Sequence, residues 1–348
     1  SWNLFWSELA RAYQHHKAYR PLPVVEEASQ YSRYARRQRA SLKPPEERNA
    51  YWLERLANLP DPPLPPRDAG AGSTGMPLVH GVRRILEVSL WESVRETARE
   101  HRTTPHNVLL AAFHAWHYRV FGASDVVIST PVNGRILSGD EGVHGCTIFM
   151  LPIRMRLCGT TRFSGLLQEV TREMTAAYPH AAINPLELQL ELSRKEGRTQ
   201  PIQNALFQIR NILEEPEPLD RGLASRRFLP RRATFVAPLL LELHLTPDGT
   251  LFGFGFDASR TSPESASRLL ESYLILLGNL VAGPDNPLSQ QSLLREPERS
   301  LLVGEWACQP AAPPPARSVP ERFRTIARAH PESVALTGPG RSEEHTSE

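Results

Sequence analysis

At 348 residues the chain is long enough for two domains and a sizeable buried core. Its 40 Lys and Arg against 38 Asp and Glu leave a formal net charge of +2, without the clustered basic stripe that nucleic-acid binding needs. Three cysteines (Cys146, Cys158 and Cys308) lack paired spacing, which argues against a disulfide framework and fits a reducing cytoplasm. No histidine stands at ligand spacing from Cys158 or Cys308, so no metal site is expected. No run approaches the roughly 18 apolar residues of a membrane span, so no membrane partner is expected either.

In chain order, Trp2, Phe5, Trp6, Leu9 and Tyr13 fall at helical spacing and predict an amphipathic helix. It starts without a methionine and in mid-pattern, as a fragment would. A loop with Pro21 and Pro23 follows, then a helix with Tyr31, Tyr34 and Ala35, and another over 45–59 with Tyr51, Trp52, Leu53 and Leu56. The basic run Arg36-Arg37-Gln38-Arg39 reads as a solvated face. Residues 60–75, rich in proline and glycine, read as a linker or surface loop. Alternation predicts a strand over 82–88 and a helix over 90–101. Thr103-Thr104-Pro105 then caps a helix over 106–121, apolar on most faces and therefore central, and Gly122 ends it.

Val126-Val127-Ile128 predicts a strand buried on both faces. Pro131 and Gly134 should stop it and leave Arg135 at the strand end, where open α/β folds build their sites. Further strands are expected over 147–157, 205–212, 238–245 and 251–256, the last pair joined by the turn signal Thr246-Pro247-Asp248-Gly249. His244 belongs to the more polar face of its strand. Helices are expected over 163–178 and from Ser262-Pro263-Glu264 onward. Proline returns between 297 and 320 as a second linker. Strands alternating with helices make the class α/β with mixed sheets. Neither a Gly-x-Ser-x-Gly elbow nor a glycine-rich phosphate loop is present.

Several segments resemble, in the same order, the condensation domains of nonribosomal peptide synthetases, of the chloramphenicol-acetyltransferase-like superfamily. Asp125–Arg135 is similar to the family's "IGTPVAGR", Tyr31–Gln38 to "YADYAVWQR", and Tyr51–Leu56 to "YWRERL". Gly145–Arg154 resembles "GFFVNTLPLR", Asn204–Gln208 "NPLFQ", and Leu239–Leu245 "LTLELTE". The likeness covers residues 1 to about 296. Downstream, Leu301–Trp306 and Val319–Leu336 resemble the opening of an adenylation domain.

The resemblance implies a two-lobed fold with mixed sheets and a truncated N-terminal lobe. Residues 1–75 would close that lobe and link it to the next. Residues 76–296 would form the C-terminal lobe, 297–318 a proline-rich linker, and 319–340 the start of an adenylation domain. Residues 341–348 resemble a translated sequencing-library adapter and are set aside from fold reasoning as an artefact; the alternative is a polar, disordered terminus.

Such domains join a donor acyl or peptidyl thioester to an acceptor amine, both carried on phosphopantetheine arms of peptidyl carrier domains; no cofactor is bound directly. The family's His-His-x-x-x-Asp-Gly motif would lie upstream of Ser1, so no catalytic histidine is assigned and the chain alone is expected to be inactive. His15-His16 lacks the following Asp-Gly and sits at a helix C-terminus, where a cationic imidazole merely complements the dipole. By the resemblance Arg135 is the candidate for the buried arginine that holds the motif's aspartate; the alternative is a surface arginine at a turn. Phe149 and Met150, which replace the family's Asn-Thr, and His244 are candidates for the substrate channel. His180 is similar to the first residue of "HQDLPFE", but Ala181-Ala182 follows it. Two other readings stay open: a two-lobed acyltransferase forming esters with a free acceptor, and a non-catalytic carrier-docking module.

Overall fold

The computed structural model describes residues 2–22, 30–41, 44–62, 65, 67–68, 79–135, 140–202, 205–211, 237–246, 249–307, 318–334, 336–338 and 341–343. The chain divides into two compact units, Ser1–Leu294 and Arg295–Glu348.

The first unit is organised by a six-stranded sheet: β1 (Val79–Ile85), β2 (Asp125–Asn133), β3 (Ile148–Arg156), β4 (Ala205–Asn211), β5 (Leu239–Thr246) and β6 (Gly249–Asp257). Its order is β1-β6-β5-β4-β2-β3. β4 runs parallel to β2 and β5, and every other pairing is antiparallel, so the sheet is mixed. Helices α4 (Val88–Glu100), α5 (Pro105–Phe121) and α8 (Pro263–Ala282) pack on one of its faces, and α6 (Phe163–Ala177) lies against β3. Thr104 accepts from the Asn107 amide and starts α5, Gly122 at φ 65° ends it, and every residue from Asn107 to His117 is buried. Phe113 meets Phe207, Trp116 meets Phe254, and Tyr273 of α8 meets Phe252, which identifies the helix-covered face. Each such side chain removed from water contributes about 1.5–3 kcal/mol. Alternation puts Leu206, Gln208, Arg210, Leu240, Glu242 and His244 on the other face.

The remaining helices are α1 (Trp2–Lys17), α2 (Tyr31–Ser41), α3 (Pro45–Arg55) and α7 (Pro185–Glu196). α3 belongs to the core: Trp52 is 1% exposed and donates its indole proton to the His180 carbonyl at 2.9 Å, and Leu56 is buried. On α1, Phe5 is 46% exposed while Ala10 is buried.

The structure shifts several elements from their expected places. β1 begins and ends three residues earlier than alternation suggests, because its register to β6 runs from Val79↔Asp257 to Ile85↔Leu251. Val88 therefore opens α4 rather than closing a strand. β2 does not stop at Pro131 but continues to Asn133. Its registered partnership with β4 is the single pair Ser129↔Leu206, which leaves room for a residue that cannot donate. Val126 and Ile128 are buried on the helix side, while on the other face Val127 is half-buried and Ser129 fully buried. α7 is an addition: Asn184 caps it, Pro185 opens it and Gly197 at φ 66° ends it.

In the second unit the expected linker begins as helix. α9 (Glu296–Ser300) runs into a π-helical turn, Leu301–Trp306. Residues 308–317 lie outside the described residues. α10 (Val319–Ala329) starts with a reciprocal capping box between Ser318 and Glu321. β7 (Leu336–Gly338) pairs with β8 (Arg341–Glu343), so part of the segment set aside is an antiparallel strand.

Candidate functional site

Arg135 follows the carboxyl end of β2 and is half-buried. Its Nη2 donates to the Val143 carbonyl at 3.1 Å, and its Nε is buried without a hydrogen-bond partner among the described residues. The loop around it is gripped by α2. Tyr34 donates to the Gly134 carbonyl at 3.3 Å, Tyr31 to the Cys146 carbonyl at 3.0 Å, and Arg37 pairs with the buried Asp140. Burial, then the nearby Asp140 carboxylate, pushes the Tyr34 phenol above its ordinary range, so it stays a donor. The helix α1 reaches the same loop: the His144 imidazole donates from Nε2 to Glu8 at 2.8 Å and stands edge-on to Phe5. Arg135 and α1 thus touch consecutive residues of one loop, Val143 and His144. A partly buried guanidinium with a spare donor suits a carboxylate, which it can hold bidentately.

Gly134 joins this loop to the second candidate. A Cβ there would overlap the Phe149 ring, and it would stand 2.6 Å from the Thr147 carbonyl oxygen. Phe149 therefore lies against the residue that precedes Arg135. Met150, its neighbour on β3, points to the other face, where it packs against Leu206, Ala237 and Leu240.

His244 sits on that same face, as alternation suggests, but it is not solvated: it is 1% exposed. Its Nε2 lies 3.1 Å from Glu242 Oε1, off the line that a hydrogen bond needs, and neither ring nitrogen has a hydrogen-bond partner among the described residues. Glu242 also accepts from Gln208 at 2.9 Å and pairs with Arg210 at 3.3 Å. Burial pushes its carboxyl up, yet His244, Arg210 and Gln208 together outweigh burial and hold it below the usual range. Glu242 is not among the residues that the sequence singles out; its i,i+2 spacing from His244 on an alternating strand is the available signal.

The other histidines have local tasks. His15 donates from Nδ1 to the Pro21 carbonyl at 2.7 Å at the end of α1. His180 stacks on Tyr51 at 3.9 Å. On α5, His114 and His117 are wholly buried, and neither figures among the sequence candidates. Among the described residues no group of three or more His, Cys, Asp or Glu could hold a metal ion, and no helix is long and apolar enough to cross a membrane.

A family model described as "Condensation domain" matches residues 1–303. A linear gramicidin synthase of Brevibacillus parabrevis is 28% identical over 351 residues, or 97% of this chain and 7% of that protein. Tyrocidine synthase 3 of the same organism is 28% identical over 258 residues, or 72% of this chain and 4% of that protein. The chain therefore spans well under a tenth of these relatives. Among solved structures, the first condensation domain of the CDA synthetase matches with a TM-score of 0.64 at 20% identity, covering 84% of this chain and 63% of that one. The condensation domain from the Monacolin K polyketide synthase MokA gives 0.67 at 21% identity, over 81% and 68%. At these identities the likeness establishes the fold, an α/β architecture with the mixed sheet of the chloramphenicol-acetyltransferase-like class.

Proposed function

The chain belongs to the condensation-domain family, and from that membership we propose that it serves amide-bond formation between a carrier-tethered acyl or peptidyl donor and a carrier-tethered aminoacyl acceptor. The acceptor nitrogen attacks the donor thioester carbon; the C–N bond forms, the C–S bond breaks, and the donor arm leaves as its thiol with the proton the amine gives up. The phosphopantetheine arms belong to the two carrier domains, so they arrive as part of the substrates. Residues 319–336 are read as the beginning of an adenylation domain, which would make this lobe one station of a modular synthetase.

The observation that supports a role for Arg135 is its unpartnered, buried Nε in a loop that Tyr34 and Val143 hold in place. A carboxylate brought to it would gain a charge-assisted pair, and that pair fixes geometry rather than moving protons. Proton removal from the amine is assigned to the motif histidine, and His-His-x-x-x-Asp-Gly does not occur in this sequence. A positioned imidazole typically contributes about 10²–10⁴-fold, so this chain alone should not condense its substrates.

The test supplies the chain with loaded donor and acceptor carriers and follows dipeptidyl product by mass spectrometry. No product above the uncatalysed background is expected. Product that disappears in His15→Ala or His16→Ala would overturn this assignment. In a longer synthetase that carries the motif ahead of this segment, Arg135→Ala should slow condensation about tenfold or more. An unchanged rate there would remove Arg135 from the site.

A further inference from the structure

The three strands that run parallel, β2, β4 and β5, end at one edge of the sheet. β2 and β4 are registered at Ser129↔Leu206, and β4 and β5 at Arg210↔His244. His244 thus lies near the carboxyl end of β5, level with Arg210 of β4, at the same end of the sheet as Asn133 and the Arg135 that follows β2. Open sheets place their ligands outside such carboxyl ends.

At this edge His244 is energetically out of place. A buried polar group without a partner costs about 1–3 kcal/mol, and Nδ1 is in that state, while Nε2 has only the Glu242 carboxylate beside it at 3.1 Å. The apolar cluster of Leu206, Ala237 and Leu240 on the same face shows that leucine-sized side chains fit the neighbourhood without such a cost. The imidazole is instead backed by an anion, because Gln208 and Arg210 hold Glu242 beside Nε2. Gly253 and Gly255, facing Glu242 and Leu240 across β6, add no side chain to this strip. At Gly253 a Cβ would come 3.0 Å from Glu242 Cγ, so the glycine is what lets the carboxylate lie there.

The carboxylate beside Nε2 favours the tautomer that carries its proton on that nitrogen, which leaves Nδ1 a lone-pair acceptor. The group that completes the arrangement is an N–H donor. Resting on the amide-forming reading above, we propose that Glu242 and His244 form a subsite, at the carboxyl edge of the parallel strands, that receives the amino group of the aminoacyl acceptor. Glu242 orients the ring and adds negative charge, and His244 makes the contact. The subsite belongs to this lobe and needs no residue of the family's histidine motif.

Three non-reactive probes separate the outcomes: the alanyl, lactyl and propionyl amides of aminopantetheine, titrated into the 348-residue chain by calorimetry. They present an amine, a hydroxyl and a hydrogen at the same position. The chain should bind the alanyl probe about fivefold to tenfold more tightly than the propionyl probe. His244→Ala should bring that ratio close to one. Glu242→Gln, which keeps the side-chain volume, should also reduce the ratio and decides the matter if His244→Ala does not fold. Equal binding of all three probes by the unaltered chain, a preference for the lactyl probe over the alanyl one, or an unchanged ratio in the folded variant would overturn the subsite and leave the acyl-transfer reading standing. No binding of any probe would overturn both.

Discussion

Tyr34 donates its hydroxyl proton to the carbonyl of Gly134, 3.3 Å away and 100 residues along the chain. This contact fastens α2 to the end of β2 immediately before Arg135. It works only because position 134 has no side chain: a Cβ there would run into the Phe149 ring and the Thr147 carbonyl. The Thr147 oxygen is backbone and cannot swing aside. Gly134→Ala should therefore destabilise the first unit by about 1–3 kcal/mol, read as a lowered urea midpoint. Tyr34→Phe, which deletes only the hydrogen bond, should cost about 1 kcal/mol.

A second fastening is made by Arg154 on β3. Its guanidinium grips Asp125 through two bonds of 2.7 and 2.6 Å and donates to the carbonyls of Arg55, Ala57 and Asn58 just past α3. Its side chain is only 9% exposed. Arg154→Ala leaves Asp125 only its longer pair with Arg156 at 3.4 Å and removes the donor to three carbonyls, so a loss of about 2–3 kcal/mol is expected. Arg154→Lys keeps the charge but not the planar fork, and should recover little of it. Faster amide hydrogen exchange over residues 51–59 would show where the loss falls.

Acid should weaken the fold through α5. Burial lowers the His117 imidazole from its ordinary 6.5 to about 4, partly opposed by its hydrogen bond to the Phe113 carbonyl. Burial, with the neighbouring His117, puts His114 well below its ordinary value too. Above about pH 7.5 both rings are neutral in the folded and unfolded chain, and stability does not depend on them. As pH falls from 6.5 toward 4 the unfolded chain takes up protons that the native state refuses. His117 alone then withdraws about 3 kcal/mol across that window, and His114 adds to the loss in the same direction. Urea midpoints from neutral pH down to about pH 4.5 measure the slope, and His117→Gln should flatten it.

Thiol chemistry should single out Cys158. The hydroxyls of Thr160 and Thr161 bring its pKa from 9.0 down to about 7 at an exposed position. Alkylation by iodoacetamide at about pH 7 should modify Cys158 faster than the equally exposed Cys146, with a rate that rises through a midpoint near 7. Thr160→Val together with Thr161→Val should move that midpoint upward. Equal rates at the two cysteines would contradict the assignment.

Local chemistry makes much of this fold readable. Thr104 with Pro105, Ser262 with Pro263, and the left-handed Gly122 are signals carried by two or three adjacent residues, and each marks the helix end it announces. The same kind of signal is present in Asn184, Pro185 and Gly197 around α7, where the likeness of His180 to a family motif masks it. The limits of β1 cannot be read locally, since they are set by β6 far along the chain. Arg135 is visible because a strand and a turn present it. His244 is visible as a polar-face residue, but its burial comes from neighbouring strands, and Glu242 becomes a candidate only when register places Gln208, Arg210 and Gly253 around it.

The edge strand β1 pairs with β6 alone, from Val79↔Asp257 to Ile85↔Leu251. On a ribosome adding roughly 5–20 residues per second, β1 emerges many seconds before its partner has been made. Meanwhile α4 and α5 can form, but the apolar surface they would lay on β6 has nothing to cover. The sheet is completed only when the β5–β6 hairpin arrives, so the synthesis of residues 239–257 times its closure. A pause before that hairpin would prolong the interval in which Trp116 awaits Phe254, and holding chaperones would find their target there.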